Sequence, residues 1–178
     1  MATIDNWEHH RDIVTPDSVV LLAGFVLAHG AWSVSDLPKG ELLVPLAVVE
    51  TDGQRQLLRF EAQTQEQSIA EGKATLAKRQ GQLDAWAFVR EGLMPEGTGK
   101  VDVLTVDVWA RGMTRPITFV QKFSPYSSGA FRIKGDAIVV VDGKLVEGTE
   151  ATGLVRKLYE GVSQHPKAGQ LWHRWRSK

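Results

Sequence analysis

The chain has 178 residues, of which 43% are hydrophobic and 24% are charged; its formal net charge is zero and it contains no cysteine. These values are typical of a soluble globular domain, and they exclude disulfides, thiolate catalysis and cysteine-ligated metal sites. A neutral chain also argues against a general affinity for nucleic acids or for membranes.

The N-terminal region is predicted to hold two helices. Residues 3–14 carry apolar side chains at helical spacing and indicate a short first helix. Thr15-Pro16-Asp17 is typical of the start of a second helix, because threonine caps it, proline suits its first turn and aspartate complements its dipole. We expect this second helix to run to about His29 and to end near Gly30.

The longest apolar run, Val19–Ala28 (VVLLAGFVLA), lies inside the second helix. Ten residues cannot span a bilayer, and the preceding NWEHHRDIVTPD is mixed in charge rather than basic. We therefore interpret the run as a buried helix rather than a signal sequence, and we expect a cytoplasmic protein.

A β-hairpin is predicted next, with strands at Leu42–Glu50 and Gln54–Ala62 around Thr51-Asp52-Gly53. Asp-Gly between apolar runs favours a two-residue turn in which both residues have positive φ. Pro45 cannot donate to a strand ladder, so the first strand is expected to lie at a sheet edge or to begin there.

Thr64-Gln65-Glu66-Gln67 fits a capping box and predicts a helix that runs to about Arg79. Four strands joined by short Gly-, Pro- and Ser-rich connections are expected to follow, at Leu83–Glu91, Val101–Arg111, Pro116–Phe123 and Phe131–Asp142. Ala137–Val141 is apolar on both faces, which predicts a central strand. A last helix around Leu154–Val162 is predicted to end at Pro166, before a basic-aromatic tail (QLWHRWRSK).

The order of these elements predicts one α+β domain over residues 1–178. Strands grouped in hairpins, rather than alternating with helices, favour an antiparallel sheet of about five or six strands packed with three or four helices. The predicted order is α-β-β-α-β-β-β-β-α.

Catalytic and metal-binding signatures are missing from the sequence. HExxH, G-x-S-x-G, GxGxxG and the P-loop pattern do not occur, and adjacent His9 and His10 point about 100° apart on a helix. The sequence therefore predicts no catalytic residue, no metal and no cofactor, and it favours a role other than catalysis.

Aromatic and charged side chains alternate on two of the predicted strands. Trp86, Phe88 and Arg90 share one face of the first, and Asp107, Trp109 and Arg111 share one face of the next. Aromatic residues beside arginine are typical of interface hot spots, and they also suit a flat ligand. The candidate partner- or ligand-binding residues are Trp86, Arg90, Asp107, Trp109, Arg111 and Tyr126.

A simpler explanation for this aromatic face is that a helix covers it. The last helix presents Leu154, Leu158 and Tyr159, and the tail presents Trp172 and Trp175. Packing of these side chains on Trp86 and Trp109 would leave the charged residues paired at the margin.

Charge is distributed unevenly along the chain. Residues 1–89 hold 7 Lys and Arg against 12 Asp and Glu, a net of −5, and residues 90–178 hold 14 against 9, a net of +5. The two halves can complement each other within one chain or between two chains.

We expect a protein–protein interaction domain that acts as a homodimer. The alternative is a small-molecule-binding protein or enzyme with a pocket between the sheet and the first or last helix. A nucleic-acid role through Arg174, Arg176 and Lys178 ranks third.

Overall fold

The structure, a computed structural model, describes residues 17–176. Its helices are α1 (Asp17–Val34), α2 (Gln65–Arg79), α3 (Gly148–Val162) and α4 (Ala168–Arg176). Its strands are β1 (Leu46–Thr51), β2 (Gln54–Arg59), β3 (Ala85–Glu96), β4 (Gly99–Ala110), β5 (Ile117–Ser124), β6 (Arg132–Val141) and β7 (Lys144–Val146). The predicted helix over residues 3–14 lies outside the described residues.

The strands form one seven-stranded sheet in the order β2-β1-β3-β4-β5-β6-β7, and every neighbouring pair is antiparallel. The predicted α+β fold with an antiparallel sheet is confirmed. The sheet has more strands than expected because β7 was not predicted.

Asp-Gly dipeptides form the turns of both outer hairpins. Asp52 and Gly53 have φ values of 51° and 77°, and Asp142 and Gly143 have 55° and 76°. Positive φ at both central residues is what a type I′ turn requires. The sequence predicts the first hairpin from this dipeptide, and the same dipeptide at 142–143 produces the short strand β7.

Of the two alternatives predicted from Pro45, an edge position or a strand that begins there, the structure shows the second: β1 begins directly after Pro45 and lies between β2 and β3. The predicted central position of Ala137–Val141 is wrong. β6, which contains the stretch Ala137–Val141, is second from the edge, between β5 and β7, rather than central.

Helices α1, α3 and α4 lie on one face of the sheet, here called the first face. α1 packs on β3 and β4, and it crosses α3 where two glycines meet. A Cβ at Gly24 would lie 1.9 Å from the Leu158 carbonyl oxygen, and one at Gly161 would lie 2.2 Å from the Leu21 carbonyl oxygen. Any side chain at this crossing would push the two helix backbones apart.

Gly30 does not end α1, which continues to Val34. A Cβ at Gly30 would lie 3.0 Å from a methyl group of Val89, so this glycine allows close packing on the sheet. The 18-residue helix, with a mean hydropathy of 1.5, is long and apolar enough to cross a membrane, but 61% of it is buried inside the fold. The predicted buried helix is therefore observed, but it ends at Val34 rather than near Gly30.

Helix α2 lies on the opposite face, here called the second face. The predicted capping box is present: the Gln67 amide donates to Thr64 Oγ1 at 3.1 Å, and the Thr64 amide donates to Gln67 Oε1 at 3.2 Å. Gly72 faces Phe88 of β3, and a Cβ there would lie 2.6 Å from the ring. α2 therefore covers the half of the second face near β3.

The C-terminal helices do not cover the Trp86–Trp109 face, so that expectation is wrong. The Tyr159 hydroxyl of α3 donates to Gln121 Oε1 at 2.7 Å, and Gln121 lies on the first face. The basic-aromatic tail forms α4, whose Trp175 packs edge-on against Phe131 at 4.9 Å between ring centroids. The alternation of the strands puts Trp86 and Trp109 on the other side, where α2 lies.

Candidate functional site

The part of the second face beside α2 carries apolar side chains that no helix of residues 17–176 covers. In one row across the sheet, Asp107, Thr118, Val140 and Leu145 stand side by side on β4 to β7. In the next row stand Thr105, Val120 and Ile138. We call these seven residues the open half-face.

Burial differs sharply between the two faces of the same strands. Phe119 and Val139 point to the first face and are each 1% exposed. Val120, Ile138 and Val140, on the open half-face, are only partly buried, and Leu145 is 56% exposed. The open half-face is therefore an apolar surface that solvent reaches.

Trp86 and Trp109, two of the predicted site residues, stand opposite each other on β3 and β4. They are 7% and 6% exposed. The Trp86 indole N–H donates to Gln80 Oε1 at 3.0 Å, and that of Trp109 donates to the Met113 carbonyl at 2.9 Å. These rings pack in the core, with their polar atoms satisfied.

Three predicted charged residues form ion pairs next to the tryptophans. Arg90 donates to Asp107 Oδ2 at 2.7 Å, and the Thr118 hydroxyl donates to Asp107 Oδ1 at 2.6 Å. Arg111 donates to the Leu83 carbonyl at 2.8 Å and lies 3.4 Å from Asp84 Oδ1. Asp107 is therefore fixed in place at the inner border of the open half-face.

Tyr126, the sixth predicted site residue, is not brought together with the others. It lies in a short 3-10 helix just after β5, whereas the tryptophans lie level with the start of that strand. Its side chain is 50% exposed.

A cleft of about 420 Å³ separates α2 from the open half-face. Lys73, Leu76, Ala77 and Gln80 form its helical wall. Trp86, Phe88, Asp107 and Thr118 form its floor, and Arg115 and Asp142 close the far side. We call this space the α2 cleft; Trp86 and Asp107 are the two predicted site residues that line it.

A histidine pair links α1 to the segment before α4 on the first face. His29 Nδ1 lies 3.0 Å from His165 Nε2. His165 Nδ1 accepts the amide N–H groups of Lys167 and Ala168 at 3.1 and 2.9 Å. His165 Nε2 therefore carries the proton, and it donates to His29.

The pKa values of both histidines are lowered. Burial lowers the pKa of His29, and the nearby positive charge of Arg59 adds to that effect. Burial also lowers the pKa of His165, and the neighbouring His29 lowers it further. Sequence spacing could not reveal this pair, because its members are 136 positions apart.

Within residues 17–176, no group of three or more His, Asp or Glu side chains is arranged to hold a metal ion. A scan against protein-family models and searches of curated proteins and of solved structures found no match to this chain.

Sequence reasoning missed the open half-face although its signal was present. The stretch Ala137–Val141 is apolar on both faces, and this pattern was interpreted as a central strand buried on both sides. Among the described residues, helices pack only against the first face of this stretch, and its second-face side chains are partly buried. Ile138 and Val140 thus have the composition of buried residues at positions that remain partly exposed.

Proposed function

We propose that this protein is a protein–protein interaction domain that acts as a homodimer through its second face. The observation that carries the proposal is the pair Ile138 and Val140, whose strand is apolar on both faces and covered on one. Contiguous exposed apolar surface on a soluble domain is typical of an interaction site.

The shape of the second face favours a second copy of this chain as the partner. α2 lies over one half of this face, and no helix of residues 17–176 lies over the other half. Three strand spacings of about 4.8 Å separate β4 from β7, which leaves about 14 Å for a helix about 10 Å wide. A twofold axis that lies between two facing sheets and runs roughly parallel to their strands would therefore place the α2 of each copy on the open half-face of the other.

The outward side of α2 has the residues that such packing needs. Ala70, Ala74 and Ala77 follow the i, i+4, i+7 spacing of one helix face, and all three are exposed. The sheet of its own chain is contacted instead by Ser68, Gly72 and Leu76, which are buried. Small side chains on the outward face would let a second sheet approach closely.

The charges of α2 predict that salt has little influence on the dimer. α2 carries Glu66 and Glu71 against Lys73, Lys78 and Arg79, a net of only +1, and four of the seven residues of the open half-face are apolar. Screening weakens exposed charge pairs, whereas it leaves apolar burial almost unchanged. The opposite net charges of the two chain halves therefore do not drive the association.

The test is light scattering after size-exclusion chromatography, over a range of concentrations and at low and high salt. We expect twice the 19.7 kDa chain mass at both salt concentrations, and a single chain mass for Leu145→Lys, which places a charge on the open half-face.

The matched control is Leu93→Lys. Leu93 is 62% exposed, and its pairing with Asp102 places it on the first face. This variant should remain dimeric. A monomeric unaltered chain, or equal effects of the two lysines, would overturn the proposal.

A further inference from the structure

We infer that the α2 cleft binds a small ligand with a flat apolar body and one anionic group. All the residues that line the cleft belong to one chain, although Ala77, Asp107 and Thr118 also lie on the surface that the proposed dimer would cover. Its volume of about 420 Å³ lies in the range of cavities that hold small organic ligands.

The apolar body is matched by the lining of the cleft. Its accessible apolar surface comes from the exposed residues Ala77 and Pro116 and from the edge of Trp86, whereas Leu76 and Phe88 lie beneath and are buried. Phe88 is fixed against Gly72, so its ring cannot swing away to change the shape of the cleft. A planar ring system would gain burial against Ala77 and Pro116 and an edge contact with Trp86.

The carboxylates of the cleft are already paired. Asp107 accepts from Arg90 at 2.7 Å and from Thr118 at 2.6 Å. Asp142 accepts from Arg115 at 2.6 Å on the far side. Neither carboxylate therefore offers an uncompensated negative charge to a cationic ligand.

Two polar side-chain groups on the α2 side of the cleft remain available, and both are donors. Among the described residues, the Lys73 ammonium has no hydrogen-bond or ion-pair partner. Gln80 uses its oxygen to accept from Trp86, which leaves its amide N–H₂ pointing from the same wall. Lys73 lies in α2 and Gln80 directly follows it, about 10 Å further along the same wall, so their long side chains can reach toward one anion between them.

The test is isothermal titration with 2-naphthoate and with 2-naphthylmethanol, which share a ring system and differ in charge. All titrations use chains that carry Leu145→Lys, the change expected to give a monomer, because Leu145 lies outside the cleft. We expect the naphthoate to bind about fivefold more tightly, the usual size of one exposed charge contact. Lys73→Gln should remove that advantage and leave the affinity for the alcohol unchanged. Ala77→Trp, which fills the cleft, should abolish binding of both probes.

Lys78→Gln is the matched control, because it removes the same charge from the same helix outside the cleft. It should change the naphthoate affinity by less than about twofold. The inference is overturned by the absence of saturable binding, by equal effects of Lys73→Gln and Lys78→Gln, or by a naphthoate affinity that survives Ala77→Trp. Failure of the dimer would appear in light scattering and not in these titrations.

Discussion

At the scale of single residues, the His29–His165 pair works only when both rings are neutral. His165 Nδ1 caps the start of α4 by accepting two amide protons, and His29 Nδ1 accepts the remaining ring proton of His165. A proton added to either accepting nitrogen would put two N–H groups face to face. His29 Nε2 is buried and, among the described residues, has no hydrogen-bond partner, so the pair has little capacity to hold a charge.

This pair predicts that the protein loses stability in mild acid. Both folded-state pKa values lie below 6.5, the ordinary value, so the unfolded chain binds more protons as the pH falls through that region. The contribution is fully present above about pH 6.5 and is lost as the pH drops toward the lowered folded-state values. The urea midpoint, measured from pH 8 to pH 5, should fall over this window.

Two variants distinguish the contribution of the histidine pair to the pH dependence from that of other titrating groups. His29→Gln should flatten the pH dependence, because glutamine accepts the His165 proton without titrating. His173→Gln, on the exposed side of α4, should leave the dependence as it is. If the two variants show the same pH profile, the histidine pair is not its source.

At the scale of elements, α2 is attached to the sheet through a narrow contact whose centre is Gly72. Its buried residues are Ser68, Gly72 and Leu76. Glycine ordinarily costs a helix about 1 kcal/mol relative to alanine. At position 72 a methyl group would meet the buried ring of Phe88 at 2.6 Å, which costs more than the helix gains.

Two glycine-to-alanine substitutions should therefore change the free energy of unfolding in opposite directions. Gly72→Ala is expected to destabilise the protein by about 1–2 kcal/mol because α2 must lift from Phe88. Gly153→Ala, in the interior of α3 with open space around its Cβ position, should stabilise it by about 0.5–1 kcal/mol. Chemical unfolding measures both, and a gain at position 72 would show that α2 does not pack as described.

Local signals predicted those elements whose determinants lie close together in the sequence. The capping box at Thr64 and the Asp52-Gly53 turn each depend on residues within four positions, and both are observed. The end of α1 was misplaced because Gly30 serves packing on Val89, a contact that spacing does not reveal. The basic-aromatic tail was not predicted to be a helix, because the sequence alone does not show that Trp172 is buried.

At the scale of the whole molecule, alternation along the strands identified the two faces but not what covers each. Trp86 and Trp109 were correctly placed on the side opposite the apolar core set. Whether α2, α3 or α4 lies over them depends on how the chain crosses the sheet, which a single sequence does not specify. The same uncertainty concealed the open half-face, since the sequence of an apolar strand does not show whether a helix of its own chain covers both of its faces.

The most direct test of the central claim, that α2 of one copy lies on the open half-face of the other, uses the absence of native cysteine. Ala74→Cys and Leu145→Cys chains, each carrying one thiol, are mixed and treated with a short bis-maleimide. The cross-linked peptides are then identified by mass spectrometry, and a mixture of Ala74→Cys with Leu93→Cys serves as the control. The account predicts abundant links between positions 74 and 145 and few between 74 and 93. Equal yields from the two mixtures, or no link to position 145, would contradict it.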